Sequence, residues 1–219
     1  MGGSVAIGLV TVAHGDRYRA YLPEWASAVA ALERQPDAIT IVTDNLACPR
    51  LAAASDLLGP NCVAVETTTR FERHPQILAN EAIAITRTDW ICKMDADDLI
   101  YRHALNYLDE WPADVCMFGI NVNAERNLVP SPATAEQVLS SPHNLLFAGS
   151  PFRRALWAKT PGFQDMVYDD WAFWRSCAKA GATFLPTGNI DYFYRLHGEN
   201  SSTNINHEEE VQRVLTALH

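Results

Sequence analysis

Trp90-Ile91-Cys92-Lys93-Met94-Asp95-Ala96-Asp97-Asp98 opens on a short, mainly apolar run and closes on three carboxylates. Such a run reads as a buried strand whose last residues project from a sheet edge. Asp89 to Met94 is accordingly expected to be the fourth strand of the chain. Working back towards the N-terminus, the same grammar repeats. His74 to Thr86 reads as a helix with Pro75 near its start, and Cys62 to Glu66 as the third strand. A helix begins at Pro49 and stops before Gly59-Pro60. Ala38 to Thr43 is a second buried strand ending at Asp44-Asn45. Leu22, Trp25, Ala26, Val29 and Leu32 mark one face of a helix after a polar turn, and Ser4 to Ala13 is the first strand. Strands alternating with helices imply right-handed βαβ units and a largely parallel sheet. Ligands bind such sheets beyond the carboxyl ends of the strands. His14, Asp44, Asp95 and Asp97 all fall at that edge.

Beyond Asp98 the alternation loosens. Val115 to Asn123 reads as a strand entering a hairpin, Pro130 to Pro142 is loop-rich, and Phe147 to Gly162 declares neither period. Asp169-Asp170-Trp171 starts a helix ending at Gly181, and Ile190 to His197 alternates like a strand. The fold expected is α/β, a mostly parallel sheet flanked by helices, with a smaller mixed C-terminal portion. No internal repeat or linker divides residues 1–219. Asn206 to Leu218 is a final helix, apolar at Val211, Val214, Leu215 and Leu218. Glu208-Glu209-Glu210 on its other side favour docking on the domain over contact with an anionic membrane.

Hydrophobic residues make up 48% of the 219 and charged residues 20%, a globular composition. A chain of this length buries about 70–75% of its unfolded surface, enough for a core without staples. The net charge of −9 argues against a nucleic-acid partner. It allows a phosphorylated one held through a metal. Five cysteines, Cys48, Cys62, Cys92, Cys116 and Cys177, include no Cys-x-x-Cys pair and read as reduced, structural residues of a cytoplasmic protein. No apolar run reaches the ~20 residues of a transmembrane segment. The N-terminus lacks the basic region of a signal peptide, and Ala6 stands where a myristoylation start wants Ser or Thr.

Four groups of residues can carry chemistry. Asp95-Ala96-Asp97 can aim two carboxylates at one hard cation, Mg²⁺ or Mn²⁺, which then bridges to a diphosphate. The plain alternative is a solvated acidic turn. Lys93 shares a strand face with Asp95, which suits an ion pair or a phosphate contact. Asp44 can accept a hydrogen bond from a base imide or ribose hydroxyl, or else cap the following turn. In Asp169-Asp170 one carboxylate suits the helix dipole and the other is left to act as a general base. Tyr192 to His197, as a strand, puts Arg195 and His197 on one face, a cation beside a potential metal ligand. His197 can equally be an ordinary surface residue, and His14 and His74 read mainly as structural. Gly-x-Gly-x-x-Gly after the first strand, Gly-Lys-Ser/Thr and Gly-x-Ser-x-Gly are all absent. Dinucleotide oxidoreductases, P-loop nucleotidases and elbow hydrolases are thereby disfavoured.

In this order and spacing the motifs resemble those of the inverting nucleotide-sugar glycosyltransferases of family 2, which have the GT-A fold. The resemblance runs from Val5 to about Ser202. Ile41-Val42-Thr43-Asp44-Asn45 resembles the family's Val-Asp-Asp strand end, and Asp95-Ala96-Asp97-Asp98 its metal-binding motif. Gly162-Phe163 with Asp169-Asp170-Trp171 resembles its Gly-Gly-Phe and Glu-Asp signatures. Tyr194-Arg195-Leu196-His197 with Ser201-Ser202 resembles its closing segment. Val12-Ala13-His14 stands where the family commonly has Thr-Tyr-Asn, and Ala79-Asn80 where it has Arg-Asn.

The resemblance implies a nucleotide-binding half over 1–100, an acceptor and catalytic half over 101–205, and a C-terminal helix over 206–219. It implies Thr11, His14, Asp44, Asn80, Asp95 and Arg195 as donor-binding residues. Asp97, Asp95 and His197 are the implied holders of Mn²⁺ or Mg²⁺, and Asp170 the implied base. The donor implied is a UDP-sugar and the acceptor a glycan or another hydroxyl compound. Two other readings remain at this level: a catalytically silent relative that binds a nucleotide sugar or glycan, and a sugar-nucleotide pyrophosphorylase. A dehalogenase-like phosphatase also uses Asp-x-Asp, but at its first strand, whereas this pair closes the fourth.

Overall fold

A computed structural model describes residues 4–67, 75–198, 200 and 205–217. The first half alternates as expected, except that the polar turn after the first strand closes into a short helix: β1 (Ile7–Ala13), α1 (Gly15–Arg19), α2 (Leu22–Ala30), β2 (Ala38–Thr43), α3 (Pro49–Leu58), β3 (Cys62–Glu66), α4 (Pro75–Ile85) and β4 (Trp90–Asp95). The second half holds β5 (Leu99–Ile100), β6 (Val115–Val122), β7 (Arg126–Leu128), α5 (Ala135–Ser140), β8 (Phe152–Arg153), α6 (Arg154–Trp157), α7 (Asp169–Lys179), β9 (Phe184–Tyr194) and α8 (His207–Thr216). His74, Ser201, Ser202 and Leu218 lie outside the described residues.

One sheet runs in the order β3-β2-β1-β4-β8-β6-β9-β5, with β7 on β6. Strands β1 to β4 are parallel, and their register sets Val12 between Val42 and Asp95. His14, Asp44 and the Asp95–Asp98 turn therefore leave the sheet at one edge. Successive side chains of a strand face opposite ways. Ile7, Leu9, Ile41 and Trp90 accordingly join α2 residues such as Trp25 in one core, while Val10, Val42 and Ile91 join Leu78, Phe152, Phe173 and Trp174 in the other. The C-terminal helix docks as expected, with Val214 buried against Met166, Trp171 and Ala172. All five cysteines are free, and no described helix is long and apolar enough to cross a membrane.

The second half departs from the sequence reading in three places. The stretch expected as loop from Pro130 to Pro142 contains α5. Thr134 and Gln137 form a capping box there, each side chain taking the other's backbone N–H. Phe147 to Gly162 resolves into a two-residue strand and one helical turn. Strand β9 begins at Phe184, ahead of the expected Ile190, because Pro186 to Asn189 are absorbed as an irregularity opposite β6. Gly119 makes this possible, since a Cβ there would stand 2.2 Å from the Asn189 carbonyl oxygen. The strand also stops at Tyr194, so Arg195 and His197 do not share a strand face. Beyond it the Arg195 N–H donates to Asp98 Oδ1 at 2.8 Å and the Leu196 N–H to Asn123 Oδ1 at 2.8 Å, which draws the chain away from the ladder.

Candidate active site

A pocket of about 540 Å³ lies at the carboxyl ends of the parallel strands, lined by His14, Lys93, Asp95–Asp98, Asn144, Phe147, Tyr168–Asp170 and Tyr194 among others. On one side Asp97, 9% exposed, accepts from His197 Nε2 at 2.9 Å. The other ring nitrogen, Nδ1, lies 3.2 Å from Arg17 Nη2. A guanidinium can only donate, so Nδ1 accepts and the imidazole proton sits on Nε2, facing Asp97. Burial raises the Asp97 carboxyl above the ordinary range and the neighbouring Asp95 adds to this, with the His197 hydrogen bond working against both. Asp98, fully enclosed, is pushed well up by burial and by Asp95 and Asp97.

Lys93 links the two sides of the pocket. Its Nζ is 2.8 Å from Asp95 Oδ1 and 3.8 Å from Asp169 Oδ2, so the strand-face ion pair expected with Asp95 is present and extends across to α7. Burial opposes the Lys93 charge, but Asp169, Asp95 and Asp170 outweigh it and hold the amine above its usual value. Asp169 is pushed up to about 7, chiefly by burial, with Lys93 pulling the other way. Asp170 is also raised by burial, opposed by Lys93 and by its hydrogen bonds. Its Oδ1 accepts the Trp171 N–H at 2.8 Å and its Oδ2 accepts Asn144 Nδ2 at 3.0 Å.

Of the residues singled out in the sequence, His14, Lys93, Asp95, Asp97, Asp169 and Asp170 line this pocket, and His197 reaches it through Asp97. The others are engaged elsewhere. Asp44 accepts from the Gly15 N–H at 3.1 Å and forms a close ion pair with Arg19, so it performs the turn-capping role. Burial alone would raise the Asp44 carboxyl, but those two donors hold it below its usual range. Arg195 donates to the Asp97 carbonyl at 2.7 Å and to Glu24 at 2.8 Å, stitching the closing segment to α2. The Thr11 hydroxyl is buried in β1.

Asn80 is a clamp rather than a pocket residue. Its Oδ1 accepts the Phe163 N–H at 2.9 Å and Trp157 Nε1 at 3.0 Å, while Nδ2 donates to the Phe163 carbonyl at 2.7 Å. Gly162 beside it has φ 73°, and a Cβ there would sit 2.4 Å from Asn80 Oδ1. Asn80→Ala strands those donors, and each unsatisfied buried group costs about 1–3 kcal/mol. Urea unfolding should show that loss. An unchanged midpoint would return Asn80 to the list of candidate ligand contacts.

Asp95, Asp97, Asp98, Asp169 and Asp170 line the pocket against one ammonium, that of Lys93, and Asp97 is raised by burial and then by its neighbour's charge. This excess of hard oxygen donors suits a divalent cation that also takes phosphate oxygens. Among the described residues no three His, Cys, Asp or Glu side chains converge as a ready cage. The expected trio of Asp95, Asp97 and His197 is thus not assembled, and Asp95 is paired with Lys93 instead. A cation here would rest on Asp97 and on oxygens of the ligand.

No family model and no curated protein matches the sequence. Likeness is found among solved structures. S. aureus TarS 1-349 in complex with UDP-GlcNAc aligns with a TM-score of 0.74 at 16% identity, covering 95% of this chain and 64% of that one. The fold is shared with TarS. TarS 1-349 in complex with UDP gives a TM-score of 0.69 at 14% identity over 97% of this chain and 70% of that one. A further TarS structure, with a TM-score of 0.68 at 15% identity, is covered over only 42% of its length. The expected architecture, a mostly parallel sheet flanked by helices, is therefore the observed one.

Proposed function

We propose that the chain is a nucleotide-sugar glycosyltransferase of the hexosyl or hexosaminyl class. It moves a sugar from a UDP-sugar to an acceptor hydroxyl with inversion, and depends on a divalent metal. The observation that carries this reading is the meeting of Asp97 and Asp170 in one pocket at the carboxyl edge of the sheet. The likeness to TarS, solved with UDP-GlcNAc and with UDP, supports the donor class. Free, mostly buried cysteines suit a reducing compartment such as the cytoplasm.

In this reaction Asp170 takes the proton of the acceptor hydroxyl. The acceptor oxygen then bonds to the anomeric carbon as the bond from that carbon to the diphosphate oxygen breaks, its electron pair leaving with the diphosphate. One displacement from the opposite face inverts configuration. Asp97 would hold Mn²⁺ or Mg²⁺, and the ion would supply positive charge against the departing diphosphate. Lys93 ties Asp95 and Asp169 to one ammonium and orients both. Tyr194, Tyr168 and Phe147 supply walls that exclude water.

A thermal-shift panel of nucleoside diphosphates and UDP-sugars, with Mn²⁺ or with a chelator, tests the donor. A ligand at ~100 times its Kd adds ~2.7 kcal/mol of stability. UDP and UDP-sugars should shift the transition with Mn²⁺ and lose most of the shift with the chelator. A flat panel removes the proposal. The engagement of Asp44 by Arg19 and Gly15 favours, as a second reading, a silent relative that binds without turnover. Binding with neither transfer nor donor hydrolysis would select it.

A further inference from the structure

We infer that Asn144 is a positioning residue that aims the Asp170 carboxylate into the pocket. The inference rests on Asp170 being the base proposed above. Asn144 lies between α5 and β8 and lines the same pocket. Its amide has a fixed orientation. Oδ1 accepts the Leu146 N–H at 3.2 Å, closing an Asx turn, so the NH₂ group is the end that faces Asp170. Nδ2 then donates to Asp170 Oδ2 at 3.0 Å while the Trp171 N–H holds Oδ1 at 2.8 Å. The carboxylate is gripped at both oxygens from two separate elements. One of the two lone-pair positions on each oxygen is filled, and those that remain are left for an incoming hydroxyl.

The loop holding Asn144 is itself anchored. Arg175, buried in α7, donates to the Leu139 carbonyl at the end of α5, and the Ser141 hydroxyl donates to the His143 carbonyl at 2.6 Å. The grip thus transmits the position of α5 to the base. The charges facing Asp170 are Lys93 and Asp95 of β4 and Asp169 of its own helix. Tyr168 and Tyr194, whose hydroxyls are pushed up chiefly by burial and in part by Asp170, stand beside it. Lys93 favours the ionised carboxylate and the two aspartates disfavour it. Asn144 is the neutral donor that adds to the favourable side without bringing a charge near the acceptor.

Asn144→Asp keeps the Asx turn and replaces the donor by an acceptor, and Asn144→Ala removes both. Carboxyl-carbon NMR titration of the ligand-free chain, with the Asp170 resonance assigned from Asp170→Asn, reads the consequence without any substrate. The Asp170 midpoint should rise by about one unit or more in Asn144→Asp and by less in Asn144→Ala. UDP-sugar turnover should fall in both, with donor KM little changed. Melting curves establish that both variants are folded. An unmoved midpoint in a folded Asn144→Asp overturns the inference while leaving Asp170 as base. Retained turnover in Asp170→Asn overturns the base assignment itself.

Discussion

Asp170→Asn is expected to lower turnover by roughly 10²-fold or more, the scale of a positioned general base, with nucleotide binding almost untouched. The carboxylate lines the pocket, carries two fixed hydrogen bonds and is raised by burial. A raised carboxyl is protonated over a wider acid range, so the base is active only above its elevated pKa. The acid limb of the kcat/KM profile should therefore lie above the usual carboxylate range. Asp169 is the rival, because it is pushed up to about 7 and lies on the same wall. Its carboxylate, however, faces the Lys93 ammonium at 3.8 Å, which makes it an orienting group. Asp169→Asn should cost less turnover than Asp170→Asn. The reverse ranking would move the base to Asp169.

Strands β1, β2 and β4 were legible because they are buried on both faces and written as largely apolar runs between turn residues, while β3, at the sheet edge, is half-exposed and was marked by its Val63-Ala64-Val65 core alone. Their parallel order then places Asp95, Asp97 and His14 at one edge without further information. The second half is written in a weaker hand. Strand β8 has two residues, too few for a period, and β9 passes through Pro186-Thr187-Gly188-Asn189, which reads as a turn until Gly119 is seen beside it. The Thr134-x-x-Gln137 signature of α5 is legible in the sequence as a capping box. In the site, residue type identified the carboxylates, but partners decided their roles. Asp44 is taken by Arg19, Asn80 by Phe163 and Trp157, and Arg195 by Glu24, contacts that no spacing rule announces. Asn144 stayed hidden for the same reason: its partner lies 26 residues away on another element.

Asp97→Asn is expected to be the other large effect, abolishing most of the Mn²⁺-dependent gain in UDP affinity. Removing even an outer partner of a metal ligand commonly costs 10–100-fold, so loss of the ligand itself should reach at least ~100-fold. Calorimetry with and without a chelator reads it, and equal affinity in all four combinations would end the metal reading. His197 adds a finer test, because the structure gives its Nε2 proton to Asp97 while Arg17 fills Nδ1. To ligate through Nε2, His197 must release that proton and Arg17 must turn away from Nδ1, which then carries it. Imidazole suits Mn²⁺ better than Mg²⁺, so a ligating His197 makes His197→Ala cost more Mn²⁺-supported than Mg²⁺-supported activity. A His197 that only orients Asp97 costs both equally. Arg195→Ala, which loosens the Asp97 backbone and the tie to Glu24, should weaken nucleotide affinity with either ion. Equal losses in His197→Ala, together with a nucleotide-bound structure whose imidazole nitrogens stay beyond ~3 Å against the ~2.1 Å of a metal bond, would keep His197 as the hydrogen-bond donor to Asp97.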